Sequence, residues 1–440
     1  MMEWKSDHSR TMRAYLAVTF WGEEYRRYFL DFCLSSLLGS GNLPAISDKS
    51  SARLLIATTD RDWVALQGEP TFLAARELIS IEHVPFTGPE TPDSKLMLVM
   101  SQAHKLLAQK MFEDRAQGIF LLPDMIAATG YVPKLEELWR RGFALIMSMN
   151  VRFANDGFIR EIKDWVLAHP GEPIALSSSE LVRLTLRHMH SEMRRNGFDN
   201  PFDDYGSSAY FWNVGSGEDL LFHCGSWLPS LIDYGALNTH DDSSLDSSTL
   251  DGDYVANNFP DPRDIYFIKD TAELFMVTFT PESSRHYSLT PLFLYRIPIL
   301  RVAFKIVGGH NFLYEQAPAW LKKDQFQLPV RFRGGSAPES QWRSVESRAA
   351  NIIAQMEHGG TLAAKIGYFC YFRLLPIVYS VWPNRRAIMR LIIAILRGDR
   401  MAWNHARWRV RQQITGESYA NWRARHQVTG ESYASWQIRH

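Results

Sequence analysis

The sequence predicts an α/β protein: a mostly parallel sheet with helices on both faces, followed by a helical C-terminal region. Short apolar runs recur at residues 13–20 (RAYLAVTF), 53–57 (RLLIA), 119–122 (IFLL) and 143–149 (FALIMSM), each bounded by turn residues. Between them lie segments whose apolar residues recur at helical spacing. Strands that alternate with helices through short connections favour a parallel sheet. After Pro281 the alternation stops and the segments read as helical.

Taken in order, residues 13–20 form the first strand, ended by Trp21-Gly22. Residues 23–38 carry Tyr25, Tyr28, Phe29, Phe32, Leu34, Leu37 and Leu38 at helical spacing and stop at Gly39-Ser40-Gly41-Asn42. Residues 53–57 are the second strand, ending at Thr58-Thr59-Asp60. Residues 62–78 read as helix and 78–84 as a third strand. The helix at 96–112 buries a face through Leu96, Val99, Met100, Ala103, Leu107 and Met111. The apolar strand 119–122 stops at Pro123-Asp124, and the chain turns again at Thr129-Gly130. A helix over 134–141 and the strand 143–149 follow. Residues 177–193 read as one helix with a capping start at Ser177–Glu180, and 265–269 and 274–279 as two more strands.

A chain of 440 residues accommodates one large domain or two to three smaller ones. At 46% hydrophobic and 22% charged, the composition is globular. Acids and bases balance at 48 each, so overall charge gives no sign of a nucleic-acid partner. Cys33, Cys224 and Cys370 are far apart and odd in number, which argues against a disulfide framework. The opening MMEWKSDHSR lacks the apolar core of a signal peptide. The most apolar stretch, 366–382, is short for a membrane span and contains Arg373 and Pro376. The expected location is the cytoplasm.

Asp124 is the first candidate functional residue. A carboxylate at the carboxyl end of a buried strand stands where open α/β sheets place ligands; the plain alternative is a turn cap. Neither GxGxxG nor GxxxxGK[ST] occurs, which disfavours a dinucleotide fold and a P-loop. The strand ends offer Thr19, Trp21 and Glu23, then Thr58, Thr59 and Asp60. An aromatic face stacks on a base and a carboxylate accepts from ribose hydroxyls. Against this, Trp21 is equally a packed aromatic and Asp60 a helix cap. His104, one step off its helix's apolar face, is either a phosphate contact or an ordinary boundary residue.

Farther on, His188 and His190 lie two apart and share no helix face, so they are not read as a metal pair. Cys224 has no evident base beside it and reads as a packed residue. Between Asp233 and Asp264 stand eight aspartates against one basic residue, Arg263. A solvated acidic loop explains such a run. Within it, Asp251-Gly252-Asp253 sets two carboxylates about a glycine, which lets both converge on one hard cation; Asp-Gly also simply makes turns.

This order of segments, with Thr19-Phe20-Trp21, ATTD at 57–60 and FLLPDMIAATG at 120–130, resembles the nucleotide-diphospho-sugar transferase fold of GT-A-type glycosyltransferases. It is most similar to bacterial glycosyltransferase-like proteins with PDxxxxxG in place of a complete DxD. The resemblance covers residues 13–280. It implies a GT-A-like, Rossmann-type sheet, a nucleotide-sugar donor, and a divalent cation (Mn²⁺ or Mg²⁺) held by the strand-end acid against the diphosphate. Carried over, the metal role falls on Asp124. Leu122 stands where the first acid of a DxD belongs, and His223, or Asp251 and Asp253, are the candidates to complete the shell. Thr19, Trp21, Thr59, Asp60, His104 and Asp124 are the donor-binding candidates.

The implied chemistry is displacement at the anomeric carbon, with the cation stabilising the leaving diphosphate. An inverting enzyme also needs a carboxylate to deprotonate the acceptor; Asp251 and Asp253 are the candidates, with no ground to choose between them. A retaining enzyme needs none. The acceptor expected is a glycan or a lipid-linked molecule, as in polysaccharide assembly. Two rivals stay open: a non-catalytic relative that binds or assembles through the same fold, and a metal-dependent hydrolase built on Asp251 and Asp253.

The expected division is a nucleotide-sugar domain at 13–280, a helical region at 281–400 and a repeat tail at 401–440. From Arg373 onward there are twelve arginines and three acids. A basic, aromatic, apolar segment can lie on an anionic membrane surface, or pack as a helical appendage. The tail repeats with a period of 14 residues: QITGESYANWRARH at 413–426 and QVTGESYASWQIRH at 427–440. Such a period returns each Trp to nearly one helix face, although the glycines weaken a continuous helix. Docking on the body, self-association and mobility are its open uses.

Overall fold

The structure, a computed structural model, describes residues 11–89, 96–149, 152–200, 207–285, 298–316 and 320–358. Its strands are β1 Ala14–Thr19, β2 Arg53–Thr58, β3 Ser80–Pro85, β4 Gln117–Leu121, β5 Met125–Ala127, β6 Leu145–Met149, β7 Arg152–Ala154, β8 Ala209–Val214, β9 Asp219–Cys224, β10 Trp227–Asp233, β11 Ile265–Phe267, β12 Met276–Phe279 and β13 Val330–Arg333.

Seven strands make the central sheet in the order β11-β6-β10-β4-β1-β2-β3. Every pairing is parallel except the two made by β10, which runs against β4 and β6. The mostly parallel α/β architecture expected from the sequence is therefore present. The inner strands are buried on both faces, and the period of two divides their side chains between two cores. Leu16, Val18, Ile56, Ile119 and Ile146 meet helices 23–38, Pro70–Leu78 and Tyr131–Arg140. Tyr15, Ala17, Leu55, Phe120 and Met147 meet helix Leu96–Glu113 and the 245–255 segment.

The differences from the sequence reading have local causes. The helix expected over 62–78 is two, Asp60–Leu66 and Pro70–Leu78, because Pro70 starts the second at its first turn. The helix expected over 177–193 ends at Arg187, where the chain turns to bond the β7 edge: Asn155 N–H donates to the His188 carbonyl and His190 N–H to that of Phe153. Strand β10 was not anticipated, since Pro229 argues against a central strand. The register shifts between Pro229 and Leu231, and this bulge accommodates the missing donor.

Two three-stranded sheets flank the centre, β5-β12-β7 and β13-β9-β8. Helices Pro298–Asn311, Trp320–Gln327 and Glu339–His358 hold the described part of the helical region expected after 281. Strand β13, within that region, pairs with β9 and was not anticipated either. The chain divides into units at Met1–Gly359 and Gly360–His440. The basic C-terminal segment and the Trp repeats lie outside the described residues.

Candidate functional site

The chain lays down β1, β2 and β3 in one direction, then places β4 on the other side of β1. The order reverses between β1 and β4, and open α/β sheets bind ligands outside the carboxyl ends at such a point. Thr19 closes β1 and pairs in register with Ala57 of β2. It is buried, and among the described residues its hydroxyl has no partner. Trp21 is half-buried, its ring 6.0 Å from Phe86. Thr59 caps helix Asp60–Leu66 by accepting from the Asp62 N–H, and Asp60 is the exposed first residue. The cap is thus Thr59, not Asp60. Gly88 has φ +74, and a Cβ there would stand 3.2 Å from Thr59 Cγ2 and 3.9 Å from Trp21 Cβ. The segment after β3 therefore closes on Trp21 and Thr59 where a side chain would intrude.

Asp62, which the sequence reading passed over, fixes this turn. Its carboxylate accepts from Gly22 N–H at 2.9 Å, Thr59 Oγ1 at 2.8 Å and Arg26 Nη1 at 2.6 Å. Burial pushes its pKa up, but these donors outweigh burial and hold it below the usual value. The Thr59-x-x-Asp62 spacing is the signal, a variant of the helix capping box.

Asp124 follows β4 on the adjacent strand and is 7% exposed. Burial raises its pKa, against the lowering field of Arg152. Its carbonyl accepts from Phe279 N–H of β12 at 3.1 Å. Its charge reaches Tyr28 and Cys33, both already raised by burial. Cys33 lies in a π-helical turn, Phe29–Leu34, a distortion that recurs at functional sites. Arg152 carried no sequence signal; only the packing of β7 beside β12 brings it here.

His104 is buried rather than a boundary residue, edge-on to Phe120 of β4 at 6.0 Å. Desolvation lowers its pKa to about 4, opposed by the field of Asp251. It is therefore neutral at pH 7, and its Nδ1 has no partner among the described residues. Asp251 accepts from Thr249 and, at 3.1 Å, from Lys322 Nζ. Asp253 is exposed at the start of helix Asp253–Asn258. The acidic run is only partly a solvated loop: Asp233 is buried and accepts from Gln117 and Trp139, each at 2.7 Å.

His223 sits in β9, where its Nδ1 pairs with the Phe326 carbonyl at 3.0 Å. Desolvation lowers its pKa to about 4. Among the described residues, no hydrogen bond or ion pair joins it to Asp124, Asp251 or Asp253. No three His, Cys, Asp or Glu side chains there gather into a metal-binding group. Asp124, the carboxylate that the resemblance would give a cation, stands in the field of the Arg152 guanidinium.

No protein-family model matches the chain. No curated protein sequence matches it either. Among solved structures, a mannosyltransferase from Pyrobaculum calidifontis, in complex with GDP-Man and Mn²⁺, aligns at 10% identity over 93% of this chain and 89% of its own, with TM-score 0.24. A glucose-1-phosphate thymidylyltransferase from Bacillus anthracis, in complex with sucrose, aligns at 14% identity and TM-score 0.21. That alignment takes in 33% of this chain and 59% of the thymidylyltransferase. Both superpositions are too loose to set residue against residue.

Proposed function

We propose that the chain is a GT-A-like glycosyltransferase that binds a nucleotide sugar across the carboxyl ends of β1, β2 and β4. The observation that carries this reading is the reversal of strand order between β1 and β4, with Asp124 following β4 and Trp21 and Thr59 at the ends of β1 and β2. In this reading Trp21 stacks on the base, while Thr19, Thr59 and Asp60 meet base and ribose. Asp124 accepts from a hydroxyl of the donor.

The acceptor hydroxyl attacks the anomeric carbon as the bond to the diphosphate oxygen breaks, and the nucleoside diphosphate leaves. The acceptor's proton passes to a carboxylate. Asp251 is favoured over Asp253 because it is half-buried, held by Lys322, and close enough to act on His104. The catalytic unit then includes helix Trp320–Gln327. The acceptor class, a glycan or a lipid-linked molecule, and membrane contact or self-association through residues beyond 359 remain part of this proposal.

The incomplete DxD favours a second reading, in which the fold binds a nucleotide sugar without turning it over. Incubation with UDP-, GDP-, CMP- and dTDP-sugars, with chromatographic detection of freed nucleotide, separates the two. Release that is lost in Asp251→Asn supports transfer. Binding without release, across acceptors and divalent ions, supports the second reading.

A further inference from the structure

We propose that Arg152 holds the diphosphate of the nucleotide sugar, gripping it from the β7 side of the small sheet β5-β12-β7 while Asp124 stands on the β5 side. This rests on the donor-binding reading above and names the residue that takes the donor's negative charge.

Both residues enter the small sheet directly from carboxyl ends of the central one. Asp124 lies between the end of β4 at Leu121 and the start of β5 at Met125; Arg152 begins β7, just past the end of β6 at Met149. They stand on either flank of the end of β12: Phe279 N–H donates to the Asp124 carbonyl on one side, and Thr278 pairs with Arg152 on the other. Adjacent strands lie about 4.8 Å apart, so the two backbones are separated by about 10 Å. A donor whose phosphates and sugar hydroxyls lie apart can span that distance across the end of β12.

The charges agree with this placement. Arg26 is occupied by Asp62 and Lys322 by Asp251. The Arg152 side chain, half-buried, makes no hydrogen bond or ion pair within the described residues, although its field reaches Asp124. A guanidinium without a partner among the described residues presents a planar fork of N–H donors, the geometry that binds phosphate oxygens in pairs. Two negative groups cannot share one grip. The arrangement therefore divides the donor: guanidinium to the phosphates, carboxylate to a hydroxyl. On bond cleavage the charge that builds on the leaving phosphate falls on Arg152.

The test is titration calorimetry of the full chain with the pairs UMP/UDP, GMP/GDP, CMP/CDP and dTMP/dTDP, for wild type, Arg152→Ala and Arg152→Lys. For the pair that binds, wild type should prefer the diphosphate. Arg152→Ala should weaken the diphosphate about 10- to 100-fold and leave the monophosphate nearly unchanged. Arg152→Lys, which keeps the charge and loses the fork, should fall between. Equal loss for both members of the pair marks a merely structural role and overturns the proposal, as does an unchanged diphosphate affinity. If Arg152→Ala does not fold, Arg152→Gln gives the same comparison. If wild type binds no nucleotide of either kind, it is the donor-binding reading itself that fails.

Discussion

Lys322 donates to the Asp251 carboxylate at 3.1 Å and so ties helix Trp320–Gln327 to the Asp-Gly-Asp turn. Gly252, at φ +71, would set a Cβ 3.0 Å from Lys322 Cε. Lys322 and Asp251 are 71 positions apart, and a side chain at position 252 would crowd the lysine where it reaches the carboxylate.

That contact separates the two aspartates the sequence left equal. Asp251→Asn should lower turnover about 100-fold or more while donor binding is kept. Asp253→Asn should leave turnover nearly unchanged. Lys322→Met removes the ammonium that holds the carboxylate in place, so kcat should fall while donor binding is kept. Because the pair is partly exposed, its loss should cost under about 1 kcal/mol in stability. Steady-state kinetics and a denaturant melt check both halves.

Asp124 is buried at a cost. Burial raises its folded pKa above the unfolded value, so its contribution to stability is greatest below the unfolded pKa and is lost as pH rises through the folded one. Raising the pH to 7 therefore weakens the fold at this residue. Asp124→Asn should raise Tm and lower donor affinity together, a trade expected of a functional charge. A lower Tm with unchanged affinity would make Asp124 a structural cap.

His104 and His223 carry the opposite linkage. Both are buried with pKa values near 4, pushed down by desolvation, against an ordinary 6.5. The unfolded chain takes up protons as pH falls through 6.5 and the folded chain does not until about 4. Stability is therefore full above 6.5 and lost through that window, by about 3 kcal/mol for each imidazole. Urea melts from pH 7.5 to 4.5 should show this decline. His104→Phe and His223→Phe should each flatten it.

Much of the sheet was legible because buried strands on both faces read as short apolar runs, and β1, β2, β4 and β6 are such runs. Strand β10 was not, because Pro229 is tolerated there only through a bulge that depends on its partner β6. The turns at Trp21, Thr59 and Asp124 were legible as strand ends. Arg152 and Lys322 were not, since each reaches the site through pairing or packing between segments distant in sequence. Asp62 was within reach of the capping pattern, but Asp60, two residues earlier, drew the reading instead.

Asp62 supports a stability test of the β1 turn. Its carboxylate bonds Gly22, Thr59 and Arg26, and removing it strands the Arg26 charge. Asp62→Ala should destabilise the chain by about 2 to 4 kcal/mol. It should also loosen Trp21, read as a shift in tryptophan fluorescence relative to a Trp21→Phe background.

The most direct measurement of donor binding is the melting temperature of the full chain against UDP-, GDP-, CMP- and dTDP-sugars, each with and without Mn²⁺. A ligand that binds only the folded state raises the midpoint by mass action. The expected result is a rise for one nucleotide class that is lost in Asp124→Ala. An unchanged midpoint for wild type across every donor, with and without the cation, would contradict nucleotide-sugar binding at the β1–β4 switch point.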